Sequence, residues 1–265
     1  MPPAPPANQQ SLKKIAFGSI PEAKGQRIVL YGTGGIGKTT LACLAPGPVA
    51  MIDADESLGI LRGQLETIEA PLPLMLPVHG FKAVREALQS EGWDKVKTIV
   101  IDTATKLEEW CIAHTLDTVK NDKGQKVSKV EEYGFGKGYQ FVFDTFLPLL
   151  GDLDRHVRAG RNVILIAHEC TSTVPNPMGE DWLRYEPRLQ SPKSGQGSIR
   201  LKLKEWADHV LFLGYDVAVE GKKAKGQGTR TLYCNERPFC MAKSRTTSEQ
   251  FDIELGTNPW DKIIK

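Results

Sequence analysis

The sequence predicts an α/β fold, a mostly parallel central sheet flanked by helices and followed by a C-terminal β-hairpin. Three observations predict it. A buried-strand run, Arg27-Ile28-Val29-Leu30-Tyr31, passes through a glycine-rich loop into a helix start, Thr40-Leu41-Ala42-Cys43-Leu44. Apolar strand-like runs then alternate with segments of helical period, as parallel strands joined by crossover helices require. These runs also end in polar residues, at the strand ends where such sheets bind ligands.

The loop comes first. Gly32-Thr33-Gly34-Gly35-Ile36-Gly37-Lys38-Thr39 fits the Walker A pattern G-x-x-x-x-G-K-[ST] at each defined position. Glycines let backbone N–H groups wrap a phosphate, and the helix starting near Thr40 adds its partial positive charge. Lys38 is expected to reach the β/γ-phosphates, and the Thr39 hydroxyl to ligate Mg²⁺. No N-K-x-D guanine motif occurs, so ATP with Mg²⁺ is the expected pair.

The second strand is Val49-Ala50-Met51-Ile52-Asp53, closing on Asp55-Glu56. Residues 81–90 read as an amphipathic helix, with Phe81, Val84 and Leu88 on one face. Val96-Lys97-Thr98-Ile99-Val100-Ile101-Asp102 is the third strand, and 105–119 the helix after it. A polar loop follows from Lys120. Tyr139, Val142, Phe146, Leu149, Leu150, Leu153 and Val157 then recur at helical spacing, with a kink expected at Pro148. Asn162-Val163-Ile164-Leu165-Ile166-Ala167-His168 is the fourth strand. Residues 169–198 read as a long functional loop, 206–214 and 231–235 as strands, and 239–243 as a hairpin return across the turn Asn235-Glu236-Arg237-Pro238.

Bulk properties bound the function. With 40% hydrophobic and 25% charged residues the chain reads as an ordinary globular protein, and at 265 residues residues 21–265 fit one large domain. A net charge of +2 is too small to argue nucleic-acid binding, so any such contact must come from local clusters. The five cysteines, Cys43, Cys111, Cys170, Cys234 and Cys240, form no C-x-x-C pair, which favours a reduced cytoplasmic setting without structural metal. Residues 1–20, opening Met1-Pro2-Pro3-Ala4-Pro5-Pro6, read as a flexible proline-rich arm, and no membrane span or secretory leader is expected.

The strand ends supply the chemistry. Asp102 is the expected Walker B aspartate, holding Mg²⁺ through water beside Thr39. Thr103 follows it rather than glutamate, so a water-orienting carboxylate has to come from Asp55 or Glu56 on the neighbouring strand, unless these cap the helix after Ser57. His168 is placed to sense the γ-phosphate and signal its loss to the following loop. Lys243 and Arg245, one residue apart, are expected to reach a neighbouring subunit's γ-phosphate in trans.

In this order the motifs resemble the RecA-type ATPase core over about residues 25–250. Residues 49–56 look like the RecA strand that carries the catalytic glutamate, with Asp55 aligned to it. Residues 162–168 are similar to the strand whose terminal Gln or His senses the γ-phosphate. Ala242-Lys243-Ser244-Arg245 resembles the K-x-R element of RadA-like and KaiC-like members. The length and the run Tyr133-Gly134-Phe135-Gly136-Lys137-Gly138-Tyr139 resemble the minimal RecA-core proteins of bacteriophages, which act in single-strand annealing and recombination.

The resemblance implies a RecA-like ATPase domain in host-cell cytoplasm, a homo-oligomer (ring or filament), single-stranded DNA as partner, and a single-strand DNA-binding protein as a further one. It makes the loops after Asp102 and His168 the DNA-contacting regions: Lys126, Lys129, Phe135 and Lys137 in the first, Arg184, Arg188 and Lys193 in the second. Cations that track phosphates and aromatics that stack bases suit sequence-tolerant binding. Two alternatives are a nucleotide-gated DNA-binding module with negligible turnover and a ParA/MinD-like switch dimer. The latter calls for a lysine where this chain has Thr33.

Overall fold

The computed structural model describes residues 16–19, 25–193, 196–220 and 223–264, without the side chains of 217–220 and 223–227. The expected arm, residues 1–20, therefore lies outside the described residues apart from 16–19. The strands are β1 (Arg27–Gly32), β2 (Val49–Asp53), β3 (Leu74–Met75), β4 (Thr98–Asp102), β5 (Asn162–Ala167), β6 (Glu169–Val174), β7 (Trp182–Pro187), β8 (His209–Glu220), β9 (Lys223–Tyr233) and β10 (Gln250–Asp252). The helices are α1 (Lys38–Cys43), α2 (Leu58–Thr67), α3 (Phe81–Gln89), α4 (Ala104–Thr118), α5 (Lys137–Arg158), α6 (Ile199–Trp206) and α7 (Trp260–Ile263).

Strand order in the main, eight-stranded sheet is β10-β9-β8-β1-β5-β4-β2-β3. From β8 to β3 every pairing is parallel, and β8, β9 and β10 form the antiparallel edge. The period-2 geometry of a strand explains the apolar runs: alternate side chains enter opposite layers, so a strand covered on both faces is apolar throughout. Val29 and Tyr31, with Val163 and Leu165, pack into one core beside α3, α4, α5 and α6. Ile28 and Leu30, with Ile164 and Ile166, pack into the other beside α1, α2 and α7. The α/β class with a mostly parallel sheet and C-terminal hairpin is as the sequence predicts.

Three local readings need correction. The C-terminal hairpin is β8–β9, not a pairing of 231–235 with 239–243. Residues 239–243 make only single bridges, Cys240 to Tyr185 and to Arg237, and Lys243 to Val210. Trp206 ends helix α6 rather than starting a strand, because Ile199 and Leu203 recur at helical spacing and Ser198 caps the first turn by accepting from the Leu201 N–H at 3.1 Å. Residues 169–198 are not a bare loop, since β6 and β7 pair antiparallel in register from Glu169–Pro187 to Val174–Trp182. Their alternation was hidden because both faces of the hairpin carry polar residues. Pro148 lies inside α5, which continues through it to Arg158.

At the opposite end of the sheet from the glycine-rich loop, His209 is fully buried between Gln26 Oε1 and Ser244 Oγ, each 2.9 Å from a ring nitrogen. Burial, reinforced by Lys243 and Arg245 against the opposing pull of Asp208, pushes it down to about 4. The ring is therefore neutral in the fold and takes up a proton on unfolding below its ordinary value of about 6.5. Stability from this group is complete above about pH 6.5 and is lost as the pH falls toward 4, by up to roughly 3 kcal/mol. Denaturant titrations at pH 7.5 and 5 should show a larger acid loss for wild type than for His209→Asn. Equal losses would contradict the assignment.

Among the described residues no helix is long and apolar enough to cross a membrane.

Candidate nucleotide-binding site

The glycine-rich loop joins the carboxyl end of β1 to the start of α1, so its backbone amides and the helix N-terminus share one concave surface. Gly37 has φ 104° at the helix start, and a Cβ there would lie 2.7 Å from Arg230 Nη1. The left-handed backbone is what requires glycine, since the Arg230 guanidinium is the end of a flexible side chain that can shift. The Lys38 ammonium folds over the loop and donates to the carbonyls of Gly32 at 2.8 Å and Thr33 at 2.7 Å. Burial pulls its pKa down, while Asp102, Glu169 and Asp55 pull it up, in that order. Those three carboxylates identify what surrounds the cation.

The register brings the strand ends together: Asp53 lies opposite Asp102, and Asp102 opposite Ile166, two residues before His168. The Thr39 hydroxyl donates to Asp102 Oδ2 at 2.6 Å. Asp102 is 2% exposed, and burial raises its pKa to about 6 despite the Thr39 hydrogen bond. A hydroxyl and a buried carboxylate in contact beside the phosphate loop form the hard oxygen set that Mg²⁺ favours. They fit the ion, although among the described residues no group of three or more His, Cys, Asp or Glu forms a metal cluster.

The helix-capping role falls to Asp53. Its carboxylate accepts from the N–H groups of Ser57 at 3.0 Å and Leu58 at 2.9 Å, at the start of α2. That leaves Asp55 for other work, and its Oδ2 lies 3.3 Å from His168 Nε2. Glu56 is exposed, with φ 55°, and belongs to the turn before α2. Burial, followed by the charge of Lys38, lowers the His168 pKa against the pull of Asp55. The His168 N–H donates to Thr105 Oγ1 at 3.1 Å, the Thr105 hydroxyl donates to the Arg188 carbonyl at 3.3 Å, and the Arg188 N–H donates to the His168 carbonyl at 2.8 Å. The end of β5 is thereby fastened to α4 and to the segment after β7.

A cleft of about 260 Å³ opens beside the phosphate loop, reaching from Gly35, Gly37 and Lys38 to Ser57, Ile60, Leu61 and Gln64 of the α2 region and residues 253–257. The C-terminal wall is tied to α1 by Asn258 Nδ2 donating to the Leu44 carbonyl at 3.0 Å and Trp260 Nε1 to the Leu41 carbonyl at 2.7 Å. Thr39 and Thr40 line the cleft floor. A half-apolar slot continuous with a phosphate loop has the shape a nucleoside requires.

The structure disperses the other expected residues. Lys243 caps the C-terminus of α6: its ammonium donates to the carbonyls of Lys204 at 3.0 Å, Glu205 at 3.4 Å and Ala207 at 2.7 Å. These carbonyls occupy its donors, which corrects the expectation of a free finger. It does not share a strand with Arg245, whose Nε lies 3.3 Å from Asp208 and whose side chain is 62% exposed. Arg184 is 8% exposed and paired with Glu186 and Glu236, with Arg200 on the second oxygen of Glu186. It belongs to a buried ionic cluster that pins the β6–β7 hairpin to α6, a correction to its assignment as a DNA contact.

Lys129, Lys193 and Arg188 are exposed, and Phe135 stands fully in solvent with φ 49°. Lys126 and Lys137 are exposed but paired with Asp117 at 2.6 Å and Asp122 at 2.5 Å. Sequence reasoning missed Thr105, Gln190 and Arg230. Thr105 is the second residue of α4 and signals nothing alone. Gln190 and Arg230 lie in polar stretches, where only the tertiary fold gives them partners.

No curated protein matches the chain. Among solved structures, a KaiC-like protein from the hyperthermophilic archaeon Pyrococcus horikoshii is similar at 14% identity and TM-score 0.49, covering 91% of this chain and 89% of that one. The flagellar accessory protein FlaH from Methanocaldococcus jannaschii is similar at 11% identity and TM-score 0.38, covering 79% and 77%. At these values neither likeness bears on activity. Residues 24–246, most of the chain, match the family described as AAA domain (AAA_24) and contain the whole phosphate loop, Asp102 and His168, so the chain belongs to that family of P-loop NTPases.

Proposed function

We propose that this protein binds and hydrolyses ATP at the Lys38–Thr39–Asp102 centre and acts on single-stranded DNA as a RecA-like recombination or annealing ATPase. The observation that carries the catalytic half is the Thr39–Asp102 contact at 2.6 Å beside the Asp55–His168 pair at 3.3 Å. Loop amides and the start of α1 bind the phosphates, and Lys38 exchanges its two carbonyl partners for β/γ-oxygens. Thr39 and Asp102 would hold Mg²⁺, which when bound would neutralise charge building on the phosphates. Asp55 accepts a hydrogen bond from the attacking water and orients it toward the γ-phosphorus. His168 is the group whose contact with the γ-phosphate is made or lost, and Thr105 links it to Arg188. Exposed Arg245 is the remaining candidate for a cation supplied to the site of an adjoining copy in a ring or filament.

Support for the DNA half comes from Gln190. Its side chain donates to the Tyr139 carbonyl at 2.8 Å and to the Gly197 carbonyl at 2.6 Å, so the segment after β7 is held against the first turn of α5, next to the loop that carries Phe135. Lys129, Phe135, Arg188 and Lys193 then offer cations and an aromatic on adjoining loops. Filter binding of a labelled oligonucleotide at several salt concentrations tests this. Lys129→Ala combined with Lys193→Ala should weaken binding and lower the salt slope by about 1 to 2, one phosphate contact per lysine. Unchanged affinity and slope would reject the DNA surface while leaving the ATPase site standing.

A further inference from the structure

We infer that Arg230 is a nucleotide-contacting residue, a cation brought in cis by the C-terminal hairpin to the α- and β-phosphates on the base side of the loop. The inference rests on the nucleotide reading of the site above. Arg230 lies on β9, far from the Walker motifs in sequence, yet its Nη1 donates to the Ile36 carbonyl at 2.6 Å and crosses over Gly37. It lines the same cleft as Thr39, Thr40 and residues 253–257. Lys38 and Thr39 line that cleft as well, whereas Asp55, Asp102 and His168 do not, so the guanidinium reaches the phosphate loop from the side opposite the Asp55–His168 pair.

Its surroundings differ from those of the other arginines near the sheet edge. Arg184 is paired with Glu186 and Glu236, Arg200 with Glu186, and Arg245 with Asp208. Among the described residues no carboxylate forms an ion pair with Arg230, and its one hydrogen bond is to a neutral carbonyl. A half-buried guanidinium with positive charge to spare, held against a phosphate loop, is a charge-assisted donor for phosphate oxygens. The backbone of the same residue builds the wall opposite α2, because the Arg230 carbonyl accepts from the Ile253 N–H at 2.7 Å. One residue therefore fastens the cleft wall and presents a cation inside it.

Calorimetric titration of Mg-ADP and Mg-ATP into wild type, Arg230→Gln, Arg230→Ala and Arg230→Lys tests the assignment. Glutamine keeps a donor for the Ile36 carbonyl and removes the charge, so it separates phosphate contact from loop bracing. Gln and Ala should weaken ADP and ATP by the same factor, about 10- to 100-fold, with lysine recovering part of the loss. Wild-type affinities in the Gln variant would make Arg230 a brace and overturn the inference. Weakening of ATP alone would place the cation at the γ-phosphate and overturn it as well. Failure of the wild-type protein to bind either nucleotide would instead overturn the nucleotide reading and this inference with it.

Discussion

Lys38→Ala is expected to lose ATP turnover by about 100- to 1,000-fold or more in kcat/KM, the scale for removing a preorganised charge from a phosphoryl-transfer site. The ammonium is 6% exposed and held by the carbonyls of Gly32 and Thr33, so it is already aimed across the loop that would hold the phosphates. Burial lowers its pKa, which means that the folded chain bears a cost for keeping the charge there. Removing the charge should therefore leave thermal stability near or above wild type while binding and turnover collapse together. Comparison of melting temperature with steady-state phosphate release separates this from simple misfolding. Near-normal turnover in a folded Lys38→Ala variant would contradict the assignment.

Asp55→Asn should lower turnover by about 100-fold or more while ADP affinity stays within a few-fold of wild type. The two carboxylates left open by the sequence are separated by geometry. Both are exposed, but Asp55 approaches His168 at 3.3 Å and contributes to the charge around Lys38, whereas among the described residues Glu56 has no ion pair or side-chain hydrogen bond. Glu56→Gln is accordingly expected to keep turnover within a few-fold of wild type. Single-turnover hydrolysis at saturating ATP measures the chemical step in both. A large loss in Glu56→Gln with a mild one in Asp55→Asn would reverse the roles.

The two carboxylates also show which parts of the molecule were legible in the chain. Strands buried on both faces announce themselves as unbroken apolar runs, and β1, β2, β4 and β5 were read close to their observed bounds. The loop between β1 and α1 was legible because its backbone demands glycine at fixed spacing. Helix capping by Asp53 was not, since three acidic residues, Asp53, Asp55 and Glu56, stand within four positions and only the fold decides which turns toward α2. Lys243 looked like a free cation because its partners are main-chain carbonyls 36 to 39 residues away, which no side-chain motif encodes. Arg184 likewise looked solvent-facing until Glu236, 52 residues on, was folded against it. Long-range pairing of single polar residues leaves no periodic trace, and Arg230 escaped notice for the same reason, meeting Ile36 across 194 residues.

Hydrolysis of ATP at the centre formed by Lys38, Thr39, Asp102, Asp55 and His168 is measured by phosphate release from γ-labelled ATP. The assay compares the purified full chain with its Asp55→Asn variant, with Mg²⁺ and with or without single-stranded DNA. Wild type should complete multiple turnovers, faster with DNA, and release should be slowed by about 100-fold or more in the variant. Tight ATP binding by wild type without phosphate release, in the presence and absence of DNA, would contradict hydrolysis at this centre and make the protein a nucleotide-gated switch.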